Sequence, residues 1–274
     1  MKLLEKLFDF YLDASIHVAL AVFCLIQVSV VFLNILPDNH LSFYVFFGTI
    51  ACYNFIKYGV EAEKYILVAN RYHKNIQFFS FVCLGIAIYH AYFLNLKTWL
   101  AIGVLLLLTG LYALPILPMR IKLRSHGLIK IALVGLIWAG TTVVLPILAI
   151  NEPISWDFAV ETVQRFVLVI VLLLPFEIRD LDFDSPELNT LPQRFGVANT
   201  KNFGAFASIL FFCLTFLKDE LSTFEAISCG LLFLTLGILM YITKRNQSNY
   251  FASFWVEAIP IFWWAVVWVL YKYL

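Results

Sequence analysis

The residues most suited to chemistry lie between Glu177 and Gly196, where acidic side chains interrupt an otherwise apolar sequence. On a continuous helix Glu177, Asp180 and Asp184 occupy positions i, i+3 and i+7, which places three carboxylates on one face. Carboxylate oxygens are preferred ligands of hard divalent cations, and Mg²⁺ commonly bridges one or two of them to the phosphates of a substrate. The pattern therefore predicts a Mg²⁺ site for a phosphorylated substrate.

This interpretation requires that the apolar helix arriving through Val167–Pro175 continues past Pro175. Pro186 is then expected to end the helix, because proline lacks an amide donor and disfavours the helical conformation of the residue before it. Two simpler interpretations stay open: a solvated acidic loop, or a structural ion pair between Arg179 and Asp180. Three acids in helical register before a proline-bounded turn favour a functional site.

The composition indicates which elements must position these acids. Of the 274 residues, 62% are hydrophobic and 14% are charged, whereas soluble domains carry about 25% charged residues. The chain is therefore predicted to be a polytopic membrane protein, and its net charge of +1 gives no indication of nucleic-acid binding. The five cysteines lie within apolar runs and are interpreted as small core residues, not as a disulfide framework or a metal cluster.

A membrane-spanning helix needs about 20 consecutive apolar residues. The sequence predicts an all-α membrane protein of about nine such helices, in one domain covering residues 1–274. The predicted spans are Tyr11–Ile35, Leu41–Tyr58, Ile76–Leu94, Thr98–Ile116, Leu128–Ile150, Phe158–Phe176, Phe203–Leu217, Thr223–Thr243 and Tyr250–Leu274. A weak similarity between the polar loops after the second and sixth spans suggests a pseudo-repeat of two four-helix halves, about 11–127 and 128–245.

The distribution of basic residues predicts the orientation in the membrane. With a cytoplasmic N-terminus, fifteen of the 19 Lys and Arg residues fall on the cytoplasmic side, and only Lys97 and Lys218 lie in loops on the other side. Cytoplasmic loops of membrane proteins are enriched in Lys and Arg. The acidic segment is therefore expected to face the cytoplasm.

A second polar region follows the second predicted span. On a helix Asn54, Lys57, Tyr58 and Glu61 share one face, and an amide, an ammonium, a phenol and a carboxylate there could line a polar pocket. The alternative is an ordinary exit from the membrane, in which the Lys57 side chain reaches toward the interface and Glu61 is solvated.

A third polar region contains Arg120, Lys122 and Arg124 at alternate positions. Such a basic strip could bind a diphosphate, because the arginine fork suits phosphate oxygens. The alternative is that these residues only fix the topology through the positive charge of cytoplasmic loops.

The segment Arg179–Asp184 (RDLDFD), followed by Thr190–Gly196 (TLPQRFG), resembles the second aspartate-rich motif of the UbiA superfamily of intramembrane prenyltransferases. The segment from Tyr112 to Arg124 is also similar to that superfamily. The resemblance implies a bundle of nine helices around a central cavity. It further implies Mg²⁺-dependent transfer of an isoprenoid group from its diphosphate to a lipophilic acceptor, which can be aromatic, within the membrane.

The resemblance also implies roles for the acidic residues. Asp180 and Asp184 would bind Mg²⁺ and act in catalysis, and Glu177 stands at the position of the preceding acid. Asn54 matches the asparagine that opens the first aspartate-rich motif and would be catalytic, while Glu61 is a further candidate metal ligand.

The remaining candidates are expected to bind the substrate. They are basic or phenolic residues beside the two motifs, and the diphosphate is expected to contact Lys122 and Arg124 in particular. The full set is Lys57, Tyr58, Tyr112, Lys122, Arg124 and Arg179.

The first motif departs from the pattern of the superfamily. Its three aspartates are replaced by Phe55, Tyr58 and Ala62, and Glu61 and Glu63 only flank the last position. The alternative function is therefore a catalytically inactive UbiA-like protein that binds an isoprenoid or quinone-like lipid as a carrier, a sensor or an assembly partner.

Overall fold

The computed structural model describes residues 2–60, 71–113, 127–184 and 188–274, and within these ranges all regular secondary structure is helical. Eleven α-helices follow one another along the described chain. They are α1 Lys2–Asp13, α2 Ile16–Phe32, α3 Asn39–Asn54, α4 Arg71–Ala91, α5 Leu96–Ala113, α6 Gly127–Ala139, α7 Leu145–Ile150, α8 Trp156–Arg179, α9 Leu191–Thr215, α10 Thr223–Ile242 and α11 Ile259–Tyr273.

Three π-helical segments and one 3₁₀ turn interrupt or extend these helices. The π-helical segments are Phe55–Val60 after α3, Gly140–Val144 between α6 and α7, and Phe251–Val256 before α11. The 3₁₀ turn is Asp180–Asp182 at the end of α8. Such insertions are frequent at functional sites, and here all four contribute residues to the lining of the same cavity.

The chain is an integral membrane protein. Six helices of the described ranges are long and apolar enough to cross a bilayer, and a seventh span results if α1 and α2, which meet at 59°, are counted together. Each predicted span overlies a helix, but α3 has only 16 residues and α4 is rich in polar residues. Nine transmembrane helices, the two pseudo-repeat halves and the cytoplasmic orientation therefore stay predictions.

The helix α8, which leads into the acidic segment, belongs to the apolar core. It packs between α6 and α9, and Leu168, Val171 and Leu174 are almost completely buried. Phe211 of α9 and Trp263 of α11 belong to the same apolar cluster. The acidic residues are thus attached to a well-packed helix, which limits the freedom of the site they form.

The end of α8 differs from the prediction. The helix does continue past Pro175, but it ends at Arg179 and not at Pro186. The reason is a change to tighter i→i+3 bonding: the amide of Phe183 donates to the carbonyl of Asp180 at 2.9 Å, as is common at helix ends. The common helical face therefore includes Glu177 and Asp180, and Asp184 lies beyond the helix.

A close backbone approach ties α6 to the start of α9. Gly127 is the first residue of α6, and a Cβ atom added there would lie 2.5 Å from the Cα of Thr190. Thr190 is the N-cap residue of α9, and its amide donates to Gln193 Oε1 at 3.0 Å. This contact places the first turn of α6 directly beside the acidic segment.

The opposite end of the bundle contains a buried network of four charged residues. Glu161 of α8 accepts from Arg165 Nη2 at 2.7 Å and from Lys218 Nζ at 2.7 Å, and Lys218 also pairs with Glu225 of α10. Burial by itself lowers the pKa of Lys218, but the carboxylates of Glu161 and Glu225 outweigh it and raise the pKa above its ordinary value. The four charges sum to zero, and the network joins α8, α10 and the loop between α9 and α10.

The cysteines are free thiols, as predicted. Cys24, Cys83 and Cys229 are buried core residues, whereas Cys52 lies on a cavity wall and Cys213 is exposed on the outer face of α9.

Candidate active site

A cavity of about 510 Å³ lies among α2, α3, α5, α6, α8 and α11. Most of its wall is apolar and includes Val22, Ile102, Leu172, Trp138 and Phe176. The charged lining residues gather on the side of the acidic segment; they are Lys57, Lys130, Glu177, Arg179, Asp180 and Glu257. The phenolic ones are Tyr44, Tyr53 and Tyr112. A cavity with an apolar body and a charged end suits an amphiphilic ligand with an ionic head group.

Glu177 forms an ion pair with a lysine from another helix. Lys130 Nζ donates to Glu177 Oε1 at 3.0 Å, and the Glu177 side chain is 5% exposed. Its second oxygen, Oε2, is buried and has no hydrogen-bond partner within the described ranges. Because a buried carboxylate oxygen without a donor is energetically costly, this atom is positioned to accept a further ligand.

Arg179 and Asp180 form an ion pair, which was one of the alternative interpretations of the sequence. Arg179 Nε lies 2.7 Å from Asp180 Oδ1 and Nη2 lies 3.1 Å from Oδ2, so both carboxylate oxygens are engaged. Each side chain is 34% exposed, and the guanidinium also lies 5.2 Å from the ring of Phe176. The pair leaves Nη1 of Arg179 and further lone pairs of Asp180 available to a phosphate or a metal ion.

Asp184 lies just past the 3₁₀ turn. Its amide donates to the carbonyl of Asp180 at 2.8 Å, and its carbonyl accepts from Gln193 Nε2 at 3.3 Å. The carboxylates of Asp184 and Asp180 both repel that of Glu177. The three acids are therefore neighbours, although Asp184 does not line the cavity.

Asn54 is held by neighbouring helices outside the cavity. Its Oδ1 accepts from Ser15 Oγ at 2.7 Å, and its Nδ2 donates to the Ala14 carbonyl at 3.0 Å and to Ser80 Oγ at 2.9 Å. The side chain is buried and ties the junction of α1 and α2 to α4. These hydrogen bonds stabilise the packing of the helices around Asn54. The catalytic role of Asn54 stays a prediction.

Asn54, Lys57 and Tyr58 all reach the junction of α1 and α2, and the polar pocket expected from their common face stays a prediction. Residues 55–60 are π-helical, so the α-helical register does not continue past Asn54. Lys57 Nζ lies 3.5 Å from the carbonyl and from Oδ1 of Asp13 and also lines the cavity, and the Tyr58 hydroxyl donates to the same carbonyl at 3.0 Å. Tyr112 lines the cavity as well.

Three sequence-predicted site residues, Glu61, Lys122 and Arg124, lie outside the described residues. Among the others, the structure brings Lys57, Tyr112, Glu177, Arg179 and Asp180 together around one cavity.

Comparison with solved structures places this arrangement in a known fold. A UbiA homolog from Archaeoglobus fulgidus bound to DMAPP and Mg²⁺ aligns with a TM-score of 0.62 and 13% identity over 97% of this chain and 100% of that chain. The same homolog bound to GPP and Mg²⁺ aligns with a TM-score of 0.63 and 14% identity over 96% and 99%. The chain has the UbiA fold.

A second solved protein with this UbiA fold is a digeranylgeranylglyceryl phosphate synthase, which aligns with a TM-score of 0.58 and 14% identity over 97% of each chain. No protein-family model matches the chain, and no curated protein matches it by sequence. The fold predicted from the aspartate-rich segment is therefore confirmed, although sequence comparison alone does not detect it.

Within this UbiA fold, the described part of the chain contains no group of three or more His, Cys, Asp or Glu side chains arranged to hold a metal ion. Mg²⁺ nevertheless needs only one or two carboxylates when substrate phosphates complete its coordination. The uncompensated Oε2 of Glu177, close to the charges of Asp180 and Asp184, fits such an ion. The donor set thus suits a metal that arrives with a phosphate, not a preformed cage.

Sequence reasoning did not place Lys130, Trp138 or Glu257 in the site. Lys130 belongs to the first turn of α6 and reaches Glu177 across 47 residues of sequence. Trp138 Nε1 donates to the Tyr53 hydroxyl at 3.0 Å and closes part of the wall. For Glu257 a signal did exist, because an ionisable residue within an apolar span commonly faces a cavity.

Proposed function

We propose that this protein is a divergent member of the UbiA superfamily that transfers an isoprenoid group from its diphosphate to a lipophilic acceptor within the membrane. The observation that carries the proposal is the combination of an apolar cavity of about 510 Å³ with Lys57, Lys130 and Arg179 at its polar end. The solved relatives in fold that bind DMAPP or GPP with Mg²⁺ support it.

The three cations would bind the diphosphate head group. Negative charge grows on the leaving diphosphate as the allylic C–O bond breaks, and fixed cations in a water-poor cavity stabilise that charge. Lys57 is suited to this task, because its nearest carboxylate oxygen, on Asp13, is 3.5 Å away and its side chain is 46% exposed. Lys122 and Arg124 stay candidates for the same role.

The apolar wall would hold the isoprenoid chain and shelter the allylic cation. Trp138, Tyr53 and Phe176 present aromatic rings to the cavity, and ring faces stabilise a positive charge. Exclusion of water also prevents hydrolysis of a reactive intermediate.

Mg²⁺ would be held by Asp180 and Asp184, with Oε2 of Glu177 beside them, and would neutralise part of the diphosphate charge. Asp180 keeps lone pairs for an ion while Arg179 donates to both of its oxygens. The Arg179 guanidinium lines the polar end of the cavity, where its remaining N–H groups can donate to a phosphate.

The second candidate function is binding of an isoprenoid or quinone-like lipid without turnover. The observation that favours it is that Glu177 and Asp180 already have protein cations as partners. Phe55 and Tyr58 also stand in the described part of the first motif where aspartates are expected. A protein of this kind would bind its ligand without a metal ion.

The deciding experiment measures the melting temperature of the detergent-purified protein with geranylgeranyl diphosphate, with and without Mg²⁺. A ligand of the folded state raises this temperature by mass action. We expect a Mg²⁺-dependent rise in the wild type that the double variant Asp180→Asn, Asp184→Asn loses. The control is the double variant Asp219→Asn, Glu220→Gln, in an exposed loop before α10, which should keep the rise.

The two candidate functions give different results in this experiment. A rise that is indifferent to Mg²⁺ and to both aspartates supports lipid binding without turnover. No rise under any condition contradicts both functions.

A further inference from the structure

The end of α8 is joined to the rest of that helix by one hydrogen bond fewer than usual. Pro175 lies inside the helix and has no amide hydrogen, so it cannot donate to the carbonyl of Val171. Residues 176–182 follow it, and we name them the terminal segment. Three charged residues of the cavity lining belong to this segment, namely Glu177, Arg179 and Asp180. Contacts from outside α8 must therefore help to set its orientation.

The loop between α10 and α11, residues 244–249, contacts the terminal segment at both ends. At its start, Gln247 Nε2 donates to the carbonyl of Pro175 at 2.9 Å. At its far end, Arg245 Nε donates to Asp182 Oδ2 at 2.9 Å, and Arg245 Nη2 pairs with Oδ1 of the same carboxylate. Such a two-pronged pair fixes the direction of both side chains. The loop thus holds the segment across its whole length.

This loop is itself attached to the bundle. Just before it, Lys201 Nζ of α9 donates to the carbonyls of Tyr241 and Thr243 at 2.8 Å and 2.9 Å. Just after it, the Tyr250 hydroxyl donates to Asp9 Oδ1 of α1 at 3.1 Å. The helix α10 also packs against α9 and α11. The loop is therefore a fixed support for the two side chains that reach the terminal segment.

The contacts of Arg245 and Gln247 act on the terminal segment more than on the stability of the whole bundle. The side chains of Arg245 and Asp182 are 53% and 47% exposed, and exposed ion pairs contribute little to the free energy of unfolding. The end of the segment has little apolar packing, since the following Phe183 is 87% exposed. A region of this kind can open while the core stays folded.

The orientation of the terminal segment matters for ligand binding. Its carboxylates can share a metal ion with a diphosphate only while they face the polar end of the cavity. A segment that has this orientation for only part of the time lowers the apparent affinity in proportion to that fraction. A bound ligand restores the orientation, so the maximal amount of bound ligand stays the same.

We propose that Arg245 and Gln247 are positioning residues that hold the terminal segment in the orientation that binds Mg²⁺ and the diphosphate. Neither side chain lines the cavity, so both act through the segment and not on the substrate. The proposal rests on the proposed function. It predicts that the Mg²⁺ requirement of donor binding is set in part by the loop between α10 and α11.

The first test measures hydrogen exchange of the ligand-free protein in detergent by mass spectrometry. It compares wild type with Arg245→Gln and Gln247→Ala, and the matched controls are Lys244→Gln and Asn246→Ala, exposed neighbours in the same loop. Amides of residues 176–182 should exchange about five to ten times faster in the two variants, as expected for the loss of one or two hydrogen bonds. Residues 167–174 of α8 and both controls should keep the wild-type rate. Equal exchange in all five proteins, or faster exchange along all of α8, would overturn the proposal.

The second test measures binding of tritium-labelled geranylgeranyl diphosphate as a function of Mg²⁺ concentration. Arg245→Gln and Gln247→Ala should need about five to ten times more Mg²⁺ for half-maximal binding, with the same maximal binding as wild type. Both controls should match wild type. Because Lys244→Gln removes the same charge as Arg245→Gln, an equal shift in this control would show an effect of charge alone and contradict the proposal. A lower maximum with an unchanged Mg²⁺ requirement would contradict it as well.

The two proposals fail in different ways in the binding test. A wild type that does not bind the donor, or binds it equally well without Mg²⁺, contradicts the proposed function and with it the positioning role. A wild type with Mg²⁺-dependent binding, together with variants that have the wild-type Mg²⁺ requirement, contradicts only the role of Arg245 and Gln247.

Discussion

Replacing Lys218 by methionine should destabilise the protein strongly. The Lys218 side chain is 1% exposed, donates to Glu161 at 2.7 Å and to Glu225, and lies 4.9 Å from the ring of Phe32. Methionine keeps the volume and the contact with the ring but leaves two buried carboxylates facing each other, with only Arg165 to neutralise one of them. Removing one partner of a buried ion pair typically costs about 3–5 kcal/mol, which lowers the melting temperature by roughly 6–20 °C in a protein of this size.

The assay measures thermal unfolding in detergent at neutral pH, and the readout is the loss of the monodisperse protein fraction with temperature. The variant Lys97→Met is the control, because Lys97 is an exposed lysine beside a short loop at the same end of the bundle. The double variant Lys218→Met, Glu225→Gln restores neutrality and should recover about 1–3 kcal/mol, as contacting residues couple. A single variant as stable as Lys97→Met, or a double variant no better than the single one, would refute the network as described.

Three further predictions concern the elements around the cavity. Gly127→Ala should lower the free energy of unfolding by about 1–3 kcal/mol, because its Cβ meets backbone, whereas Gly103→Ala, which has open space, should be neutral in the same melting assay. Asn54→Ala should cost about 1–3 kcal/mol through unsatisfied buried partners, and an unchanged melting temperature with lost turnover would instead support the catalytic role. Lys57→Met should weaken the affinity for geranylgeranyl diphosphate about tenfold in a binding titration, whereas Lys97→Met should not.

The sequence was sufficient for the parts of the fold that depend on local pattern. The apolar runs predicted the helices, and the structure confirms the continuation of α8 past Pro175 that the register of Glu177 and Asp180 required. The resemblance of residues 179–196 to an aspartate-rich motif predicted the UbiA fold, which the solved structures confirm. These features need only the periodicity of a helix and a short run of side chains.

The partners of the polar side chains could not be predicted in the same way. The pairing of Glu177 with Lys130 depends on the packing of α6 against α8, which Gly127 makes possible through its contact with Thr190. The Asn54 contacts depend on a left-handed turn at Ser15 (φ 58°) that places Ala14 and Ser15 beside Asn54. In each case a contact between distant helices decides the role of the side chain, and no periodicity in one segment encodes it.

The buried charge network also has a consequence for how the chain enters the bilayer during synthesis. Glu161 and Arg165 stand one turn apart on α8, so this helix can leave the insertion machinery as an internally neutral segment, although each charge alone would oppose its entry. The segment from α9 to α10 follows later and delivers Lys218 and Glu225 as a second neutral pair. Each of the two segments thus enters the bilayer with one acidic and one basic member of the network. An intermediate that contains only α8 therefore has no net charge from the network in its interior.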